Sequence, residues 1–230
     1  MIVSEKYKFV FIHIPKTGGF SVDFALNKHL GEKDLYTNQY VGHSDNRALH
    51  TGTNWMHLGV RKVGNKFKNK YKNYYKFAFV RNPYERMVSL YSFFSQLNRG
   101  LGRGIPIPPS RDFTPDFEKF RDWLMERNIV VNPRLSRPIQ NRWKKRPQID
   151  FLLDEDNNIG VDFIGRTENF ADDLMSVVQH LGIPVETIPH KNDSQHLHYS
   201  LYYDEETKEK VKKDYIKDLE MFNYDFETNC

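Results

Sequence analysis

The sequence predicts an α/β fold in which a central parallel sheet is flanked by helices, within a single domain covering residues 1–230. Two apolar runs carry this prediction. Residues 8–14 (KFVFIHI) and 75–80 (YKFAFV) are β-branched and aromatic, as in strands that are covered on both faces. Each run leads through a Gly- or Pro-containing turn into apolar residues at helical spacing, and this alternation is typical of parallel sheets.

The first strand runs into a glycine loop at residues 15–19 (PKTGG), after which a helix is predicted. Residues 31–54 are polar and predict no particular element, whereas residues 57–67 are compatible with a short helix. After the second strand, Pro83 has the character of a first helical residue. Residues 98–115, rich in Gly, Pro and Arg, are interpreted as a long mobile loop on the acceptor side.

The second half of the chain continues the alternation. A helix is predicted over residues 116–128, and two short strands over residues 149–153 and 159–164. A helix over residues 168–181 ends at Gly182. The last helix, residues 204–222, is charged and has one narrow apolar stripe.

The composition is that of a folded globular protein. Hydrophobic residues make up 39% of the 230, with 17 Phe and 13 Tyr, whereas disordered chains are poor in aromatics. The formal net charge of +4 suits an anionic ligand but falls short of a nucleic-acid-binding surface. We therefore expect no nucleic-acid partner, and the run KFKNKYKNYYK at residues 66–76 is interpreted as a solvated face.

The cysteine content and the hydropathy pattern bear on the compartment. The single cysteine, Cys230, cannot form an internal disulfide. No apolar run approaches the roughly 18 residues that a membrane span needs, and the first residues do not resemble a signal peptide. We therefore expect a cytoplasmic protein without a membrane span.

The glycine loop is a candidate anion site. It joins a buried strand to a helix N-terminus, where backbone N–H groups and the helix dipole favour negative charge. Lys16 adds a positive charge, and Thr17 and Ser21 add hydroxyl groups. In a nucleoside-triphosphate loop, GxxxxGK[ST], the lysine follows the last glycine. Lys16 precedes both glycines, so an ATP or GTP loop is not supported.

A second candidate anion site begins where the second strand ends. Arg81 offers a fork of donors that suits a phosphate group, and Ser89 lies two helical turns further on. Taken alone, Arg81 could equally pair with Glu85, and Ser89 could lie on a plain helix surface.

The two motifs together resemble the carbohydrate sulfotransferases that include heparan sulfate 2-O- and chondroitin sulfotransferases and their bacterial relatives. The resemblance rests on HIPKTGGFS at residues 13–21, FAFVRNPYERMVSLY at residues 77–91 and DFIGRTEN at residues 162–169. It implies a P-loop-type α/β fold and a sulfuryl donor, 3'-phosphoadenosine-5'-phosphosulfate (PAPS), with release of 3'-phosphoadenosine-5'-phosphate (PAP). No metal is expected.

The resemblance also implies the donor-binding residues. The 5'-phosphosulfate is assigned to the loop residues, and the 3'-phosphate to Arg81 and Ser89. Arg166 and Lys191 are assigned to a segment that closes over the nucleotide. The loop residues are Lys16, Thr17, Gly18, Gly19, Phe20 and Ser21. Phe20 departs from the family, whose members usually have Thr at this position.

Two catalytic residues are expected, because sulfuryl transfer is an in-line displacement helped by positioning and charge neutralisation. Lys16 is the candidate that stabilises charge on the departing bridging oxygen. His57 is the favoured general base, since its spacing from the second strand is similar to that of a histidine in related sequences. Other candidate bases are His43, His50, Asp45 and Glu85, whereas His13 is interpreted as structural.

The expected acceptor is a carbohydrate hydroxyl. Basic residues would attract a glycan that is already anionic. They are Arg99, Arg103, Arg111, Lys144, Lys145 and Arg146. Two other functions stay open: a P-loop small-molecule kinase, and a non-catalytic protein that binds PAP or PAPS. The missing anchor and lumenal disulfides favour a bacterial or viral source, and the oligomeric state is not predicted.

Overall fold

The structure is a computed structural model that describes residues 1–36, 49–50, 56–68, 70–98, 117–125, 146–188 and 197–227. The chain divides into two compact units. Unit 1 comprises Met1–Arg81 and Gln148–Asp193, and unit 2 comprises Asn82–Pro147 and Ser194–Cys230. Each unit has its own hydrophobic core. The single domain over residues 1–230 stays a prediction.

Unit 1 contains a sheet with six strands among the described residues. The strands are β1 (Ile2–Ser4), β2 (Phe9–Ile12), β3 (Leu35–Tyr36), β4 (Leu49–His50), β5 (Tyr75–Val80) and β6 (Phe163–Arg166). Their order across the sheet is β4-β3-β1-β2-β5-β6. Five strands run in one direction, and β1 is antiparallel to both of its neighbours. The predicted α/β fold with a largely parallel central sheet is therefore confirmed.

Seven α-helices lie in the described ranges. They are α1 (Gly19–Leu26), α2 (Val60–Lys66), α3 (Pro83–Asn98), α4 (Phe117–Leu124), α5 (Ile149–Leu152), α6 (Phe170–His180) and α7 (Glu205–Phe222). Helices α1, α2, α5 and α6 belong to unit 1, and the other three to unit 2. The predicted start of α3 at Pro83 is confirmed, and α2 and α6 lie within their predicted ranges.

Strands β2 and β5 form the centre of the unit 1 core. All four residues of β2 are inaccessible to solvent, as expected for a parallel strand with both faces covered. Strand β5 has the predicted bounds, and its Phe77 pairs with Phe11 of β2. The rings of Phe11 and Phe77 stack with centroids 5.1 Å apart. This pairing fixes the register in which both strands end at the same edge of the sheet.

Two strand predictions in the second half of the chain are wrong. Ile149–Leu152 forms one helical turn, in which the N–H of Phe151 donates to the carbonyl of Gln148. A single antiparallel bridge, Leu153 with Ile159, is all that joins the two predicted strands. Strand β6 begins at Phe163 because the pairing with β5 begins there. A four-residue apolar run fits a strand and a buried helical turn equally well.

Three short strands were not predicted from the sequence. Strand β1 pairs with both β2 and β3, and β3 pairs with β4. Strands β3 and β4 have two residues each, in a polar region that carries no periodic signal.

Unit 2 is built from helices and an aromatic core. Its buried aromatic residues include Tyr84, Tyr91, Phe120, Tyr199, Tyr202 and Tyr203. The last helix, α7, starts at a capping box in which Asp204 and Thr207 exchange hydrogen bonds, and it buries Val211, Tyr215 and Phe222 as the apolar stripe predicts. Arg86 is completely buried and donates to the carbonyl of Arg146 at 3.0 Å.

Two features are absent from the described ranges. No helix in them has the length and apolar character to cross a membrane. In the same part of the chain, no group of three or more His, Cys, Asp or Glu residues is arranged to hold a metal ion.

Candidate functional site

The loop after β2 turns sharply into α1. Lys16 and Gly18 both have left-handed backbone conformations, with φ of 69° and 78°. The carbonyl of Gly18 accepts from the N–H groups of Ser21 and Val22, at 2.9 and 3.2 Å. The first turn of α1 therefore closes on Gly18, and the N-terminal end of the helix lies at the carboxyl edge of the sheet. A left-handed lysine costs about 1 kcal/mol or more, which the surrounding contacts of the loop must offset.

Thr17 holds the loop in this shape. Its side chain is completely buried, and its hydroxyl donates to the carbonyl of Ile14 at 3.0 Å. The sequence suggested Thr17 as a ligand donor, but in this conformation its hydroxyl bonds to the protein. Ser21 is 4% exposed, whereas Phe20 is 37% exposed, so the residue that departs from the family pattern is the more exposed of the two.

Both glycines of the loop are packed against rings. A Cβ atom on Gly18 would lie 2.9 Å from the ring of Phe170, at a φ that already favours glycine. A Cβ on Gly19 would lie 1.8 Å from Nε2 of His13, closer than any real contact. Neither position accepts a larger residue without a shift of its neighbour.

His57 lies beside this loop, three residues before α2. Its Nδ1 is 2.8 Å from the carbonyl oxygen of His13. Because a carbonyl oxygen can only accept, Nδ1 carries the proton in the neutral ring and Nε2 carries the lone pair. The rings of His57 and His13 meet edge to face with centroids 4.5 Å apart.

The turn after β5 is fixed by a residue that the sequence did not single out. The side-chain oxygen of Gln148 accepts from the N–H of Arg81 at 2.9 Å, and its side-chain nitrogen donates to the carbonyl of Arg81 at 2.8 Å. Gln148 is completely buried. The only signal in the sequence is a polar residue directly before an apolar run, and this does not reveal the partner.

Arg166 ends the neighbouring strand. In the register of β6 with β5, Arg166 lies opposite Val80, one residue before Arg81. The N–H of Arg166 donates to a carboxylate oxygen of Asp173 at 2.7 Å. Gly165 lies beneath the ring of Phe79, where a Cβ would be 2.5 Å from a ring carbon. Strands β2, β5 and β6 are adjacent, so Lys16, Arg81 and Arg166 all follow or end strands at one edge of the sheet.

The other sequence candidates are placed as follows. Ser89 is 2% exposed on α3, and Glu85 lies on the same helix; both belong to unit 2. His50 ends β4 in unit 1. The remaining candidates lie outside the described residues, and so does nearly all of the predicted loop at 98–115. They are Lys191, His43, Asp45, Arg99, Arg103, Arg111, Lys144 and Lys145.

Comparison with known proteins gives one decisive match. A family model described as "Sulfotransferase family" matches residues 1–225. No curated protein sequence matches the chain. Among solved structures, a sulfotransferase from Alicyclobacillus acidocaldarius is 16% identical over 95% of this chain and 96% of that chain, with a TM-score of 0.48.

The match to the family model covers both the loop after β2 and the turn after β5, as well as β6 and α7. It extends over nearly the whole chain. The chain belongs to the sulfotransferase family.

Proposed function

We propose that the protein transfers a sulfuryl group from PAPS to a hydroxyl of a carbohydrate acceptor by in-line displacement and releases PAP. The observation that carries the proposal is the alignment of basic residues along one sheet edge. Lys16, Arg81 and Arg166 come from three adjacent parallel strands. Neighbouring strands are about 4.8 Å apart, so one nucleotide with phosphates at both ends can span them.

The loop after β2 suits the 5'-phosphosulfate. The N-terminus of α1 supplies backbone N–H groups and the positive end of the helix dipole. Lys16 adds a full charge at the rim of the loop, where it would stabilise negative charge on the departing oxygen. Thr17, Gly18 and Gly19 shape the loop, and Ser21 would supply a further hydroxyl.

The turn after β5 suits the 3'-phosphate. Gln148 fixes the backbone of Arg81 on both sides, so the side chain of Arg81 starts from a rigid turn. A planar guanidinium binds phosphate through two parallel hydrogen bonds. The assignments of Ser89 to the 3'-phosphate, and of Arg166 and Lys191 to the nucleotide, remain predictions.

His57 suits the general base. Its Nδ1 donates to the carbonyl of His13, so Nε2 carries the lone pair that would take the acceptor's proton. A base is needed because an alcohol loses its proton as it attacks the sulfur. The hydrogen bond to a backbone carbonyl also fixes the plane of the His57 ring. A base on a mobile side chain would lack this fixed orientation.

The first test is calorimetric titration with PAP, 5'-AMP and ATP in metal-free buffer. We expect tight binding of PAP and at least tenfold weaker binding of the other two, since each lacks the 3'-phosphate. Equal affinity for all three nucleotides would contradict the proposed donor. Binding of ATP that depends on magnesium would favour the kinase instead.

The second test concerns the acceptor. The protein is incubated with sulfur-labelled PAPS and matched oligosaccharides that are neutral, carboxylated or already sulfated. We expect label to appear on the sugar, and PAP to form only when a sugar is present. Tight PAP binding without transfer to any acceptor, in the wild type and in His57→Ala alike, would favour the non-catalytic protein.

A further inference from the structure

His13 lies where the candidate base meets the donor loop. It follows β2, and its side chain is 3% exposed. The ring stacks on Phe11 with centroids 5.6 Å apart, so one face is fixed by the core of unit 1. Its nitrogen Nδ1 has no hydrogen-bond partner among the residues that the structure describes. A buried polar nitrogen of this kind costs free energy and is rarely retained without a reason.

Both the backbone carbonyl and the ring of His13 contact His57. The backbone carbonyl of His13 accepts the hydrogen bond from Nδ1 of His57 at 2.8 Å. The two rings also meet edge to face, at a centroid distance of 4.5 Å and an interplanar angle of 61°. The carbonyl determines which nitrogen of His57 is protonated, and the ring limits how far His57 can tilt.

The same ring touches the donor loop. A Cβ on Gly19 would lie 1.8 Å from Nε2 and 2.1 Å from Cδ2 of His13, so the ring occupies the space that a side chain at Gly19 would need. Gly19 is the first residue of α1. His13 therefore lies in direct contact with both the helix that would bind the sulfuryl donor and the residue that would take the proton.

The ring of His13 is suited to this place because it stays uncharged. Burial lowers the pKa of His13 well below its usual range, and repulsion between a protonated His13 and the ionised forms of His57, the N-terminus and Lys16 acts in the same direction. A charged neighbour would oppose proton uptake by His57, whereas a neutral ring at 4.5 Å does not.

We propose that His13 is a positioning residue, which sets the distance and orientation of Nε2 of His57 relative to the donor loop at Gly19. The proposal rests on the proposed function, in which His57 takes the proton of the acceptor. It differs from a purely structural role because the effect of His13 on kcat requires His57.

The first measurement needs no variant and no substrate. Nitrogen-15 NMR of the histidine rings in the wild-type protein reports the protonation state of each ring nitrogen. At pH 7.5 we expect His57 to be protonated at Nδ1 and His13 to be uncharged. A His57 ring protonated at Nε2 instead would overturn the proposal, whatever the protein's activity.

The second measurement is a double-mutant cycle of His13→Gln and His57→Ala, because glutamine keeps a polar end at a similar reach. We expect His13→Gln to lower kcat roughly 10- to 100-fold, to change PAP affinity less than threefold, and to change the ring shifts of His57. In the His57→Ala background, His13→Gln should cause no further loss of kcat.

The outcomes separate His13 from the proposed function. Equal losses of kcat in both backgrounds would show that His13 supports the fold or the loop independently of His57, and would overturn the proposal. Failure of the wild type to bind PAP would contradict the proposed donor instead, while the NMR comparison of wild type and His13→Gln would still test the contact. If His13→Gln does not fold, the cycle is repeated with His13→Asn, and a wild-type His57 ring protonated at Nε2 would still overturn the proposal.

Discussion

The two turns at the carboxyl ends of β2 and β5 are stabilised in different ways. The loop after β2 takes its shape from its own residues, namely left-handed Lys16 and Gly18 and the hydrogen bond from Thr17 to Ile14. The turn after β5 is fixed by Gln148, which lies 67 residues away in the chain. A contiguous motif therefore contains the residues that hold the backbone of the first turn, whereas Gln148 lies outside the motif of the second.

The difference also predicts how each turn responds to substitution. In the loop after β2, neighbouring residues hold the backbone, and Lys16 contributes its charge. Removal of the Lys16 side chain should therefore affect the chemistry more than the structure. The backbone of Arg81 in the turn after β5 is held on both sides by the buried side chain of Gln148, so loss of Gln148 should affect both structure and ligand affinity.

The largest expected effect is that of Lys16→Ala on turnover. Removal of one preorganised positive donor from a transition state typically lowers kcat about 100- to 1000-fold. PAP affinity should change much less, because PAP lacks the sulfuryl group. The measurement is kcat with saturating PAPS beside calorimetry with PAP.

Lys8→Ala is the matched control for Lys16→Ala. Lys8 is also left-handed, with a φ of 57°, but it lies at the amino end of β2. Its substitution should leave kcat unchanged. Unchanged kcat in Lys16→Ala would remove Lys16 from the mechanism, and equal losses in both variants would point to backbone strain.

Arg81→Ala should have the next largest effect, on nucleotide affinity. A charge-assisted bidentate pair contributes about 1.5–3 kcal/mol, so PAP affinity should fall roughly 10- to 100-fold. Affinity for 5'-AMP should barely change. Arg81→Lys should recover only part of the loss, because lysine cannot form the fork. Equal losses for PAP and 5'-AMP would mean that Arg81 supports the fold instead.

Gln148→Leu should destabilise the protein by about 2–4 kcal/mol, because it leaves the partly buried N–H and carbonyl of Arg81 without the side chain that bonds both. PAP affinity should fall as well, by less than in Arg81→Ala. Urea unfolding and calorimetry measure the two effects. Gln179→Ala, on the exposed side of α6, is the control and should change stability by less than about 0.5 kcal/mol. An unchanged unfolding midpoint in Gln148→Leu would show that Gln148 does not stabilise the turn after β5.

The smallest effect is a pH dependence that arises from His13. Its pKa is well below 6.5 in the folded protein, so the unfolded chain binds a proton that the native state does not. Its contribution to stability is complete above pH 6.5 and is lost as the pH falls, by about 1.4 kcal/mol per unit. The Met1 ammonium, whose pKa burial lowers to about 5, adds a slope of the same sign.

Urea unfolding at pH 8, 7, 6 and 5 isolates the contribution of His13. Below pH 6.5, the free energy of unfolding should fall less steeply in His13→Gln than in the wild type. Parallel curves for the two proteins would mean that His13 is protonated in the native state, which its burial disfavours.

Local patterns in the sequence predicted the elements that local physics determines. The bounds of β5, the start of α3 at Pro83 and the stripe of α7 follow from apolar periodicity and capping residues. The loop after β2 was predicted from its glycines. Its roles in donor binding came only from the resemblance to a family, and they remain predictions.

Long-range contacts explain what the sequence did not reveal. Ile149–Leu152 is helical. The residue before it, Gln148, bonds to Arg81, and no local pattern in the sequence shows this partner. Strands β3 and β4 have two residues each, which is too few to show an alternation of apolar and polar residues. His13 was interpreted as structural because a histidine within an apolar run is usually a core residue. Its contacts with His57 and Gly19 are visible only in three dimensions.

The split of unit 1 into two stretches has a consequence for biosynthesis. Strands β1 to β5 are complete when Val80 has been made, but β6 and Gln148 come only after residues 82–147. Until then, β5 has an open edge of unpaired backbone groups, which can pair with other chains. A ribosome that adds about 5–20 residues per second needs roughly 4 to 17 seconds to reach β6. The nascent chain therefore contains the glycine loop several seconds before Gln148 is available to fix the turn at Arg81.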